Sequence, residues 1–181
     1  MPISGSAGSV ITESSQISDN IITNDHLNDD IITDAEMAAN VLGANIVIIP
    51  RMFTTVTQGT WADLSDATTW AQQILSNDAA DADGDGLEYK VYLAQGTYSL
   101  TVQYNEDNQE AIIDCFIDAA EVASFDLFAA SGANDIKQTA TGIVVATSGV
   151  KDFKFVVDGR NGSNTTGFRV IVSAFVLEKT A

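Results

Sequence analysis

From Arg51 to the C-terminus the chain consists of short stretches that alternate apolar with polar residues or run in β-branched and aromatic ones. They are RMFTTVT, LEYKVYLA, TYSLTVQY, AIIDCFI, VASFDLF, GIVVAT, VKDFKFVVD and GFRVIVSAFVLEK. A period of two puts every second side chain on the same face of an extended strand, so each stretch offers one apolar face for burial. Between them lie DADGDG, NEDNQ, SGANDI and GRNGSNTTG, rich in the residues that turn chains. Strands at this spacing, with no long helical pattern, predict a mainly β body: an antiparallel β-sandwich of jelly-roll type. The stretch WADLSDATTWAQQIL is ambiguous. Trp70, Ile74 and Leu75 fit one set of helical turns or an irregular strand, and the strand is preferred.

The first 50 residues differ. They hold seven acids and no Lys or Arg, and Arg51 is the first base, so the composition places a boundary near Pro50. Within them aliphatic residues return every ten positions: Ile11, Ile21, Ile31 and Val41; Ile17, Leu27 and Met37; Ile22, Ile32 and Leu42. Such regularity is not that of a random linker. In the third copy Thr33 and Glu36 have the spacing of a capping box, and Gly43 suits the residue after a helix end. A helix of two turns does not hold itself in water. Each copy therefore carries large apolar side chains that it cannot bury alone. An extended or short-helical repeat stalk (1–50), whose aliphatics meet other copies of the chain or a larger partner, is expected ahead of a β-sandwich knob (51–181).

Repeats of the form IT-x-x-x-Φ-x-N/D resemble those in the N-terminal connectors and shafts of tailed-bacteriophage fibre and appendage proteins. That resemblance implies a homotrimer, anchored to other virion proteins through residues 1–50. YKVYLAQGTYSLTVQY resembles a hairpin common in jelly-roll modules of phage fibres and in carbohydrate-binding modules, and SGVKDFKFVVDGRN with the final long strand extends the likeness. A shared fold leaves function open.

Charge removes several classes. With 25 acids against 8 bases the net charge is -17, which repels phosphate backbones and anionic lipid. No nucleic-acid partner is expected. The longest apolar stretch, VLGANIVII, is too short to span a bilayer, and no membrane insertion is expected. The first ten residues lack both a basic and an apolar region of the secretory kind, so synthesis in a host cytoplasm without a signal peptide is expected. Cys115, the only cysteine, lies in the apolar run AIIDCFI and reads as a buried inert thiol.

Chemistry is sparse. His26, the only histidine, lies in the repeat segment, where a Ser-His-Asp system has no packed pocket to work in. Paired carboxylates are too plentiful among 18 Asp and 7 Glu to single out a glycosidase pair, and no enzymatic activity is expected. DADGDGLEY is the sharpest local signal. Asp81, Asp83 and Asp85 alternate ahead of Gly86 like the first half of an EF-hand loop, but its twelfth position is Tyr92 rather than Glu. A calcium ion held by these three, completed by Glu88 or Asp78, is weighed against a plain acidic turn. Trp61, Trp70, Tyr89, Tyr92, Tyr98 and Tyr104 offer stacking faces for sugar rings or, more simply, core. NGS at Asn161 and NTT at Asn164 read as a polar turn.

The resemblance to phage appendage proteins implies a non-enzymatic surface protein of a tailed-phage virion: a capsid decoration protein, head fibre or short tail fibre whose knob contacts host-surface glycans. The alternatives are a calcium-dependent carbohydrate-binding module unrelated to a virion, and a cytoplasmic oligomeric scaffold.

Overall fold

The computed structural model describes residues 45–64, 74–77 and 80–181. The β-structure begins before the compositional boundary. Strand β1 (Asn45–Ile48) pairs antiparallel with the last strand of the chain, Asn45 opposite Glu178 and Ile48 opposite Phe175, and Ile48 enters the core. Pro50 opens a 3-10 turn (Pro50–Met52), where its fixed φ suits the first position, and its carbonyl accepts the Tyr89 hydroxyl at 2.8 Å. The sandwich thus takes in Asn45–Ile48, ahead of Pro50. Arg51 and Met52, expected in a strand, belong to that turn.

The remaining strands are β2 (Thr55–Gln58), β3 (Ala62–Leu64), β4 (Ile74–Ser76), β5 (Gly86–Leu93), β6 (Gly96–Glu106), β7 (Ala111–Ile117), β8 (Ala120–Asp126), β9 (Ala133–Val145), β10 (Gly149–Arg160) and β11 (Ile171–Lys179). They form two antiparallel sheets, one in the order β3-β4-β11-β6-β9 with β1 also on β11, the other β2-β5-β10-β7-β8. Apart from β3–β4 and β7–β8, consecutive strands among those described change sheet at every step. The stretch 61–75, read as strand, contributes β3 and β4.

Two expectations change here. YKVYLAQGTYSLTVQY is not a hairpin: β5 pairs with β2 and β10, whereas β6 pairs with β11 and β9, so Ala94 and Gln95 bridge the sheets. An arch lets the apolar faces of both strands meet across the core, where a hairpin would set them side by side in one layer. SGANDI is not wholly a turn either, since β9 starts at Ala133. Asp135 takes a left-handed φ of 59°, which Asp tolerates, at a shift of register between Tyr104 and Glu106.

Alternation fills the core. Leu87, Tyr89 and Leu93 on β5 face inward with Tyr98, Leu100, Val102 and Tyr104 on β6, and Phe153, Phe155 and Val157 on β10 meet Phe175 and Leu177 on β11. Ring centroids lie 5.2 Å apart for Phe153–Phe175 and 5.1 Å for Phe155–Phe175, with Trp61 edge-on to Phe155 at 5.3 Å. Truncating one of these Phe residues to Ala leaves a cavity and costs about 3–5 kcal/mol. Cys115 is fully buried among them, and burial pushes its thiol far above the usual range, so it is inert as expected.

Candidate functional site

Four connections meet at one end of the sandwich: those from β4 to β5, β6 to β7, β8 to β9 and β10 to β11. Turn residues build them, and buried polar side chains lock them together. Asn77, fully buried, accepts Val170 N at 2.8 Å and donates to Phe168 O at 3.1 Å and to Asp85 Oδ2 at 2.9 Å. Asp85 also accepts Ala82 N at 3.0 Å. Asp81 Oδ2 accepts Phe168 N at 2.6 Å, and Asp83 Oδ1 accepts Gly159 N at 2.8 Å. A Cβ on Gly167 would stand 2.8 Å from that Asp81 oxygen and 3.1 Å from Gln109 O, so only glycine admits this approach.

Asp81, Asp83 and Asp85 therefore each hold a different backbone or amide group. Calcium needs six or more oxygens converging at about 2.3–2.6 Å. No group of three His, Cys, Asp or Glu side chains among the described residues is placed to hold a metal. Glu88 lies on β5 beside Lys90, at 3.9 Å, and Asp78 lies outside the described residues. Among the described residues the three carboxylates accept hydrogen bonds within the loop end.

Arg169 ties the next pair of connections. Its Nε donates to Glu110 Oε1 at 2.7 Å and its Nη2 to Asp107 Oδ2 at 2.8 Å. Glu110 is fully buried, so the guanidinium supplies the partner that a buried carboxylate requires. Asp107 is held below the usual carboxylate range, first by the Asn108 N–H and then by Arg169. Asn164 Nδ2 donates to Glu110 O and Gly167 O, both at 2.9 Å, and Asn161 Nδ2 donates to Asp126 Oδ2 at 2.6 Å. Both NxS/T asparagines thus build the turn, as the sequence predicts, and Asn164 is buried. The Arg160 guanidinium lies over the Phe168 ring at 5.0 Å.

The sequence picked out the acidic turn and the polar turn at Asn161 and Asn164 but missed Asn77, Glu110, Phe168 and Arg169. Their one trace was two arginines flanking a polar turn in a chain poor in bases. Of the proposed sugar-stacking aromatics, Tyr89, Tyr98 and Tyr104 are core. Trp61 is partly buried against the core with its indole N–H on Gln58 O at 3.0 Å, Tyr92 is partly exposed, and Trp70 lies outside the described residues. His26 and the repeat aliphatics (Ile11, Ile17, Ile21, Ile22, Leu27, Ile31, Ile32, Met37, Val41 and Leu42) lie outside them too. Among the described residues no helix is long and apolar enough to cross a membrane.

The loop end offers one aromatic ring with a cation on its face, ringed by amides, carboxylates and exposed hydroxyls at Ser163, Thr165 and Thr166. Asp158 on β10 lies near Asp114 on β7, and Asp114 holds the Asp158 carboxyl above the usual range.

No family model and no curated protein sequence matches the chain. Solved structures do. The CBM36-1 domain of a multidomain xylanase from the hindgut metagenome of Trinervitermes trinervoides is 16% identical, with a TM-score of 0.57, over 76% of this chain and 98% of that one. A CBM36 carbohydrate-binding module in complex with calcium and xylotriose is 18% identical (TM-score 0.54), over 72% and 97%. A family 6 carbohydrate-binding module from Clostridium cellulolyticum in complex with xylose is 13% identical (TM-score 0.55), over 76% and 99%. At these identities the likeness is one of fold: a two-sheet sandwich built like those non-catalytic modules.

Proposed function

We propose that the sandwich is a non-catalytic carbohydrate-binding module that meets its ligand at the loop end. The observation that carries this reading is that whole binding modules, along 97–99% of their own lengths, match the fold of this chain. The loop end supports it chemically. The hydroxyl rim of a sugar suits the exposed Arg160 guanidinium and the exposed hydroxyls of Ser163, Thr165 and Thr166 beside it. Xylose and xylotriose, the ligands of two matching modules, make pentose-based glycans the first class to test.

The test is affinity electrophoresis through gels holding soluble xylan, mixed-linkage glucan or no polysaccharide. Retardation by at least one glycan is expected. Arg160→Ala should weaken it about tenfold, ~1.4 kcal/mol, without moving the melting temperature. No retardation by any glycan, or full retention by Arg160→Ala, removes the site.

The ten-residue repeats favour a further part of the reading: that the module is displayed on a tailed-phage virion through residues 1–44, facing host-surface glycans. Binding of the full chain to stripped particles, lost when Ile22, Ile32 and Met37 become Ser, is its test.

A further inference from the structure

The surface around the start of the sandwich has properties that sugar binding does not use. Val47, Ile49, Met52, Phe53 and Val56 are 59%, 38%, 71%, 36% and 42% exposed. Val47, Ile49 and Met52 line one shallow hollow of about 150 Å3 with Ile46, Tyr89 and Val91, where β1 of one sheet faces β5 of the other. Every residue from Arg51 to Thr60 is exposed, and β2 lies at the edge of its sheet among the described residues. Scattered surface aliphatics are ordinary; five within ten positions, beside a hollow and a sheet edge, are not.

Charge says what fits there. A chain of net charge -17 repels its own copies over most of its surface. Residues 37–62 form its longest stretch free of Asp and Glu, with Arg51 as their one charge. Lys90 also borders the hollow. Both cations are paired, Arg51 with Asp63 and Lys90 with Asp152, so a second copy meets little net charge here and the apolar patch supplies the attraction. The chain upstream points the same way: 44 residues enter directly at Asn45, with aliphatics every ten positions that need partners outside their own segment.

We infer that this patch is a self-association surface, on which Val47, Ile49, Met52, Phe53 and Val56 pack against a second copy of the chain. The inference does not depend on sugar binding, so either can fail alone.

Cysteine trapping in the full chain tests it, because the native Cys115 is buried and stays silent. Met52→Cys should be joined to a second copy by a bifunctional maleimide, while Val144→Cys, equally exposed at 74% and far along β9, should not. Adding Phe53→Ser and Val56→Ser to Met52→Cys should abolish the cross-link with the melting temperature unchanged. Light scattering should show self-association weakened about tenfold for each large side chain removed. Cross-linking at Met52→Cys no faster than at Val144→Cys, or persisting undiminished in the triple variant, would overturn the surface. A monomeric full chain at micromolar concentration would overturn it as well.

Discussion

Asp85 and Asp158 are both acids on the acid-rich side of this molecule, and their surroundings give them opposite parts. Asp85 is buried and accepts from Asn77 and Ala82, which replaces its lost water. Asp158 is exposed, and Asp114 first, with a smaller part from Asp83, holds its carboxyl above the usual range. The folded protein therefore holds the Asp158 proton more tightly than the unfolded chain does. Below the ordinary carboxylate pKa both states carry the proton and nothing is lost; as pH rises through the raised folded value, stability falls. Asp158→Asn should melt higher than the parent at pH 7, by no more than about 2–4 °C because the group is solvated, and the two should converge in acid. Thermal melts from pH 3 to pH 8 decide it. An equal gain at every pH would mean that the carboxylate repulsion is not the cause.

At the scale of the element, β1 and the two sheet-changing connections show where sequence reading succeeded and where it stopped. Period-two alternation marked β5, β6, β7, β10 and β11 because each has one face wholly in the core. It missed β1, since NIVI has no alternation to see and composition drew attention to Pro50 instead. It also missed that β5 and β6 part company, because alternation names a strand's inner face and says nothing of which sheet contains it. The acidic turn was legible as a turn, but its partners Phe168 and Gly159 come from the far side of the chain. Their pairing with Asp81 and Asp83 exists only after folding. A practical boundary follows. Residues 45–181 should fold as the full chain does, whereas residues 51–181 lack β1 and uncover the core beneath Ile46 and Ile48. Losing a buried Ile alone costs about 2–5 kcal/mol. Circular dichroism melts should put the shorter fragment at least ~5 °C lower. Equal melting temperatures would show that β1 adds nothing.

For the whole molecule, repulsion is the dominant long-range force. Seven of the 25 acids precede Asn45 and none of the eight bases does, which leaves 18 acids against eight bases in residues 45–181. The ion pairs that oppose this are few and mostly at the surface, such as Lys90 with Asp152 and Lys151 with Asp118 at 3.3 Å. Such pairs contribute about 1 kcal/mol or less each and are screened by the same salt that screens repulsion. Arg169 with Glu110 is sheltered and largely indifferent to salt. Screening therefore removes more repulsion than attraction. The melting temperature should rise as sodium chloride goes from low concentration to about 0.5 M, where the screening length is only a few ångströms. Self-association should strengthen over the same range, because an apolar contact near Met52 loses nothing to salt while the approach of two acidic bodies becomes easier. Parallel melts and light scattering across the salt series check both. A melting temperature that falls with salt would put the balance with the ion pairs, and association that weakens would place charge, not apolar burial, at the contact.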